Sequence, residues 1–163
     1  MPTSLHGKNA HALALAAILL VSASLNLWNV SFPLGYHIDE PLKVNFIQTA
    51  TQDFNHPILM LQLVRAANLV FRVQGDHQVA VLGRTIMALC GTLSVFLTFL
   101  LARHVSGGSS PLVALLAACS VAVAPTLVLH AHYLKEDTLL VACLLITAGA
   151  VLAASDLLFN RRA

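Results

Sequence analysis

Four stretches of this chain, 12–30, 85–102, 111–129 and 138–155, run for 18 or 19 residues without a single Asp, Glu, Lys or Arg. At about 1.5 Å of rise per helical residue, each is long enough to cross roughly 30 Å of hydrocarbon. A chain that is 58% hydrophobic and only 10% charged cannot wrap such runs in a polar shell. The expected fold is therefore all-α: a polytopic membrane protein, treated as one module over residues 1–163, with spans at about 12–30, 85–102, 111–129 and 138–155. Lys8 gives the first run a basic leader, so a cleaved signal peptide competes for it; no small-x-small site closes the run, which favours a retained anchor.

The remaining residues divide by charge. Lys8, Arg103, Arg161 and Arg162 flank one side with Asp156 as the sole acid, and the other side holds six acids against five Lys and Arg. By the positive-inside rule, both termini are expected in the cytoplasm, with the acid-rich loops periplasmic, extracellular or luminal. The formal charge of +2 is dispersed and forms no basic stripe, which argues against a nucleic-acid partner. Cys90, Cys119 and Cys143 lie inside apolar runs without CxxC spacing and read as small buried hydrophobes. Histidines are scattered, and the two-residue spacing of His130 and His132 suits metal ligands on one helical face poorly.

The short "RHVSGGSS" turn makes spans two and three antiparallel neighbours, and Pro125 predicts a kink near the far end of span three. The first outer segment, 36–78, is too long and apolar for a bare loop and is expected to contain surface helices. One starts at "DEP", with acids near its N-terminus and proline in its first turn. A second covers "PILMLQLVRAANLVFRV", whose Gln62, Arg65, Asn68 and Arg72 form one polar stripe. A fifth crossing there would set Arg65 mid-span at a cost of about 3 kcal/mol.

Two acidic pairs fall on the outer side: Asp39 and Glu40 after span one, Glu136 and Asp137 before span four, with Lys135 beside the second and Arg84 opening span two. Carboxylates beside cations suit transfer from a sugar phosphate on a lipid. A carboxylate takes the acceptor's proton, and Arg or Lys holds the departing phosphate. The same pairs serve equally well as helix caps and dipole partners, Arg84 as a snorkelling anchor, and Trp28, Tyr36 and Tyr133 as an interfacial aromatic belt.

In order and spacing, "YHIDEP", "NHPILMLQLVR", "LGRTIMALCGTLSVFLTFLLAR" and "HAHYLKEDTLL" resemble the N-terminal part of membrane-embedded glycosyltransferases of the C superfamily. The resemblance is to the protein O-mannosyltransferase and aminoarabinose-transferase-like group that uses polyprenyl-phosphate sugars, and it runs from about residue 13 to 158. It implies a transferase acting on a polyprenyl-phosphate sugar donor and a protein, lipid or glycan acceptor. Asp39 matches the first-loop aspartate that serves as base or metal ligand, and Glu40 its supporting acid. Asp137, with Glu136 and Lys135, matches the second-loop acidic position that shapes the substrate site. Arg84 matches the arginine of span two, with a phosphate or packing role, and His56 the histidine of the "HP" element. Asp39 and Asp137 are also the candidate ligands of a divalent metal, Mg or Mn, which some relatives need.

Relatives carry more spans than four, so this chain is expected to be the N-terminal portion of a longer enzyme or a short relative that works with a partner. The alternative to an enzyme is a non-catalytic helical membrane subunit or scaffold. A transporter fits less well, because the span interiors are nearly free of polar groups.

Overall fold

The computed structural model describes residues 5–51, 58–108 and 110–160. The described residues form seven helices, α1 (Leu5–Leu27), α2 (Glu40–Thr49), α3 (Ile58–Phe71), α4 (Asp76–Val105), α5 (Pro111–Ala122), α6 (Pro125–Ala131) and α7 (Asp137–Asn160), and no strand. Among the described residues, three helices are long and apolar enough to cross a membrane, within Asn9–Leu27, Asp76–Val105 and Asp137–Leu158. On α1 and α7 only 11% of the most apolar window is buried. Leucines and valines such as Leu13, Leu20, Leu144 and Val151 therefore stand open on the outer surface, as a lipid-facing helix requires.

α4 is the central post. It packs against α5 and α7 most extensively, then against α1, with α2, α3 and α6 at its N-terminal half. Side-chain pairs fix the directions. Asn26 near the end of α1 reaches Thr92 at the middle of α4, and His104 at the end of α4 meets Asp156 near the end of α7 at 3.0 Å. α7 thus runs in the same direction as α4, and α1, whose C-terminal end leads into the carbonyls that Arg84 holds, runs opposite to it. Two cores follow, one of Val95, Phe99, Ala114, Leu115, Ala118 and Ala122 between α4 and α5. The other joins Val44 and Ile47 of α2 to Met60, Leu61 and Val64 of α3 and Val79, Ala80 and Met87 of α4.

Two boundaries and one side chain correct the sequence reading. The second run, expected to begin at 85, starts at Asp76, so Arg84 lies two turns inside α4 rather than at its mouth. A lone arginine marks a span's border only when nothing neutralises it, and here Glu40 does. The third run is not one kinked helix: α5 and α6 meet at a bend of 57°. Pro125 supplies no N–H to its preceding turn and pushes Ala124 out of the helical region, to φ −65° and ψ 116°. Cys119 is exposed instead of buried.

The surface helices appear where expected. α2 begins at Glu40 with proline in its first turn, and α3 buries Met60, Leu61 and Val64 while Gln62 stays exposed. At 14 residues, α3 is too short to span. Arg72 falls beyond its end, in the left-handed region at φ 52°.

Candidate functional site

The segment 28–39 passes over the N-terminal half of α4, and Arg84 organises it. The guanidinium is fully buried beside an equally buried carboxylate, Glu40. Either charge alone in such a place costs several kcal/mol, so the pair must be geometrically complete. It is: Nε donates to Glu40 Oε1 at 2.9 Å and Nη2 to Oε2, the two-pronged match that arginine makes with carboxylates. Nη1 donates to the carbonyls of Val30 (3.1 Å) and Phe32 (2.6 Å), and Nη2 to that of Pro33 (3.4 Å). The Phe32 ring lies 3.6 Å from the guanidinium carbon. All five N–H donors of Arg84 are thereby used, which leaves none for a phosphate. Of the two roles expected for Arg84, packing is the one its contacts serve.

Glu40 reaches further than α4. Its Oε1 also accepts the backbone N–H of Leu134 at 2.9 Å, and one helical turn on, Lys43 Nζ donates to the Leu134 carbonyl at 3.3 Å and to Glu136 Oε2 at 2.7 Å. Both backbone polar groups of one buried residue are thus held by two side chains of α2. The Leu134 side chain is fully buried in the α2–α3–α4 core. Gly83 makes room for it, since a Cβ there would stand 2.4 Å from Leu134 Cδ1. In this way the segment carrying Asp39 is fastened to the segment carrying Glu136 and Asp137. Lys43 was missed in the sequence, although Glu40, Lys43, Val44 and Ile47 fall at i, i+3, i+4 and i+7, the spacing of one buried helical face.

Against these fully engaged groups, Asp39 differs. It is half-buried, its backbone N–H faces His37 Nδ1 at 3.4 Å, and its carboxylate makes no hydrogen bond or ion pair with the described residues. Asp137 Oδ2 accepts from His130 Nδ1 at 2.6 Å and lies 3.7 Å from Lys135 Nζ. His132 Nδ1 donates to the Val128 carbonyl at 2.7 Å. Because a carbonyl only accepts, the proton of neutral His132 sits on Nδ1, and Nε2 is left as an acceptor. An aromatic group binds the two segments at the surface: Phe32 meets Tyr36 and Tyr133 edge-on at 5.6 and 5.8 Å between centroids, and His37 meets Tyr133 at 5.0 Å.

Beside this group opens a cleft of about 650 Å³, lined by Phe32, Tyr36, Val128, Leu129, His132 and Tyr133 among others, within the range of small-molecule sites. Its walls come from the end of α1, the segment after it, α6 and the turn before α7. Asp39 and Asp137 stand on those same two polar segments, outside its lining.

His56 lies outside the described residues. As for a metal, the described residues contain no group of three or more His, Cys, Asp or Glu side chains disposed to hold one. Glu40 and Glu136, the neighbours of the two expected ligands Asp39 and Asp137, are each bound to a cation. The chain matches no family model, no curated protein and no solved structure.

Proposed function

We propose that this chain forms part of a polytopic membrane glycosyltransferase that moves a sugar from a polyprenyl phosphate to an acceptor hydroxyl at the non-cytoplasmic face. In this reading α5 and α6 together make a broken fourth crossing, and the termini are cytoplasmic. One observation carries the proposal: Glu40 and Lys43 grip Leu134 and so join the two acidic segments, while the Asp39 carboxylate remains unengaged among the described residues.

The acceptor O–H gives its proton to Asp39 as its oxygen bonds to the anomeric carbon. The bond from that carbon to the phosphate oxygen breaks with its electron pair, and the configuration inverts because attack comes from the side opposite the phosphate. Glu40 positions Asp39 by fixing the first residue of α2. With Arg84 saturated, Lys135 is the cation of the second segment left to receive phosphate, and the aromatic cleft takes an apolar or ring-bearing part of a substrate. A divalent ion, if the reaction uses one, would draw on Asp39 or Asp137 as a carboxylate ligand and would supply stabilisation of the charge growing on the departing phosphate.

The test is transfer from a labelled polyprenyl-phosphate sugar in membranes, comparing the parent with Asp39→Asn at equal expression. A loss of about 10²–10⁴-fold is expected for removal of a general base. Transfer near the parent's level would remove Asp39 from that role.

A second reading, a non-catalytic helical subunit, draws on the same pairing of Glu40, Lys43, Arg84 and Glu136, which a scaffold would equally need. Parent membranes that transfer no sugar from any polyprenyl phosphate offered would favour it.

A further inference from the structure

Where α1, α4, α5, α6 and α7 converge beside the 57° bend, a small enclosed cavity is lined by Ser22, Asn26, Ser94 and Thr138 among apolar neighbours. Each of these four residues is at most 4% exposed. With Arg84 they are the buried polar side chains of α1, α4 and α7 among the described residues, and they come from these three different helices. Thr138 Oγ1 is buried without any hydrogen-bond partner.

The bonds already made define what is left over. Asn26 Nδ2 spends both of its hydrogens, on Ser22 Oγ and Thr92 Oγ1 at 3.3 Å each, so its Oδ1 remains. Ser94 donates to the Cys90 carbonyl at 2.9 Å and keeps its lone pairs. Ser22 accepts from Asn26 and keeps its O–H. An orphaned hydroxyl in an apolar interior is destabilising, and no bulk water reaches this one. The cavity has about 10 Å³ open to the centre of a water-sized sphere, the room for one molecule.

We infer that this cavity is the binding site of a single structural water. It would donate to Thr138 Oγ1 and to Ser94 Oγ or Asn26 Oδ1 and accept the O–H of Ser22, within the two to four partners that buried waters make. No charged side chain lines the cavity, so a neutral ligand suits it better than a bare cation. The water would pin the start of α7, and with it Asp137, to α1 and α4. The inference stands whether or not the chain transfers sugar.

Thr138→Val keeps the shape and deletes the hydroxyl, and the sign of its effect decides. With water bound, the melting temperature in detergent falls by about 2–4 °C and Thr138→Ser does not reproduce the fall. With a dry cavity, deleting an orphaned hydroxyl raises the melting temperature, which overturns the inference. A structure at about 2 Å resolution gives the second measurement: ordered density within hydrogen-bond distance of Thr138 Oγ1 is expected, and an empty cavity refutes it. Replacing sodium by choline should leave the melting temperature unchanged; dependence on sodium would replace the water with a cation.

Discussion

Replacing Arg84 by leucine removes a planar cation from a site where nothing else can answer Glu40. Of the three hydrogen bonds that reach the Glu40 carboxylate, the two from Arg84 disappear and only the N–H of Leu134 survives. The carbonyls of Val30, Phe32 and Pro33 lose the donor that Arg84 gave each of them. Breaking a buried ion pair from one side costs about 3–5 kcal/mol, because the remaining charge is stranded. For a chain of this length, each kcal/mol corresponds to about 2–4 °C of melting temperature, so Arg84→Leu should melt about 6–20 °C below the parent. Arg84→Lys keeps the charge but offers three donors from one point in place of five in a plane, and should fall between the two. Glu40→Leu combined with Arg84→Leu removes both charges and should recover part of the loss. Unfolding in detergent is followed by reaction of a thiol dye with the half-buried Cys90 and Cys143. An Arg84→Leu protein that melts within about 2 °C of the parent would refute the picture of Arg84 as the buried tie between segments.

Other consequences are smaller or opposite in kind. Gly83→Val forces Leu134 from a fully buried position and should cost about 1–3 kcal/mol as overpacking, measured in the same melt. Lys43→Met strands the Leu134 carbonyl and releases Glu136 from its buried cation; a loss of about 1–3 kcal/mol is expected, together with faster proteolysis of the segment around Leu134. His104→Ala breaks a pair whose partners are 42% and 57% exposed, and the melting temperature should stay within about 2 °C of the parent.

Much of this architecture can be read from residues alone, because uncharged runs of span length leave few alternatives and Pro41 marks a helix start by mechanism. What could not be read is where charge is compensated across the chain. Arg84 looked like the edge of a span because its partner lies 44 residues away, and its burial inside α4 follows only once Glu40 is brought to it. The pairing of Lys43 with Glu136 spans 93 residues and has no local signature. The break between α5 and α6 was half visible: Pro125 announced a disturbance, but whether neighbours re-satisfy a freed carbonyl or let the helix turn by 57° is decided by packing. Polar residues inside the spans, Ser22, Asn26, Ser94 and Thr138, looked too sparse to matter until three helices gathered them.

Proximity of the two polar segments is what everything at the acid-rich end depends on, and paired cysteines measure it. With Cys90, Cys119 and Cys143 replaced by serine, His37→Cys and Tyr133→Cys should be joined by a short membrane-impermeant bis-thiol reagent added from the non-cytoplasmic side, since the native rings lie 5.0 Å apart. Joining should occur at least tenfold faster than for His37→Cys paired with His104→Cys at the opposite end of α4. Equal rates for the two pairs, or labelling of both cysteines at 37 and 133 only from the cytoplasmic side, would contradict a shared outer site.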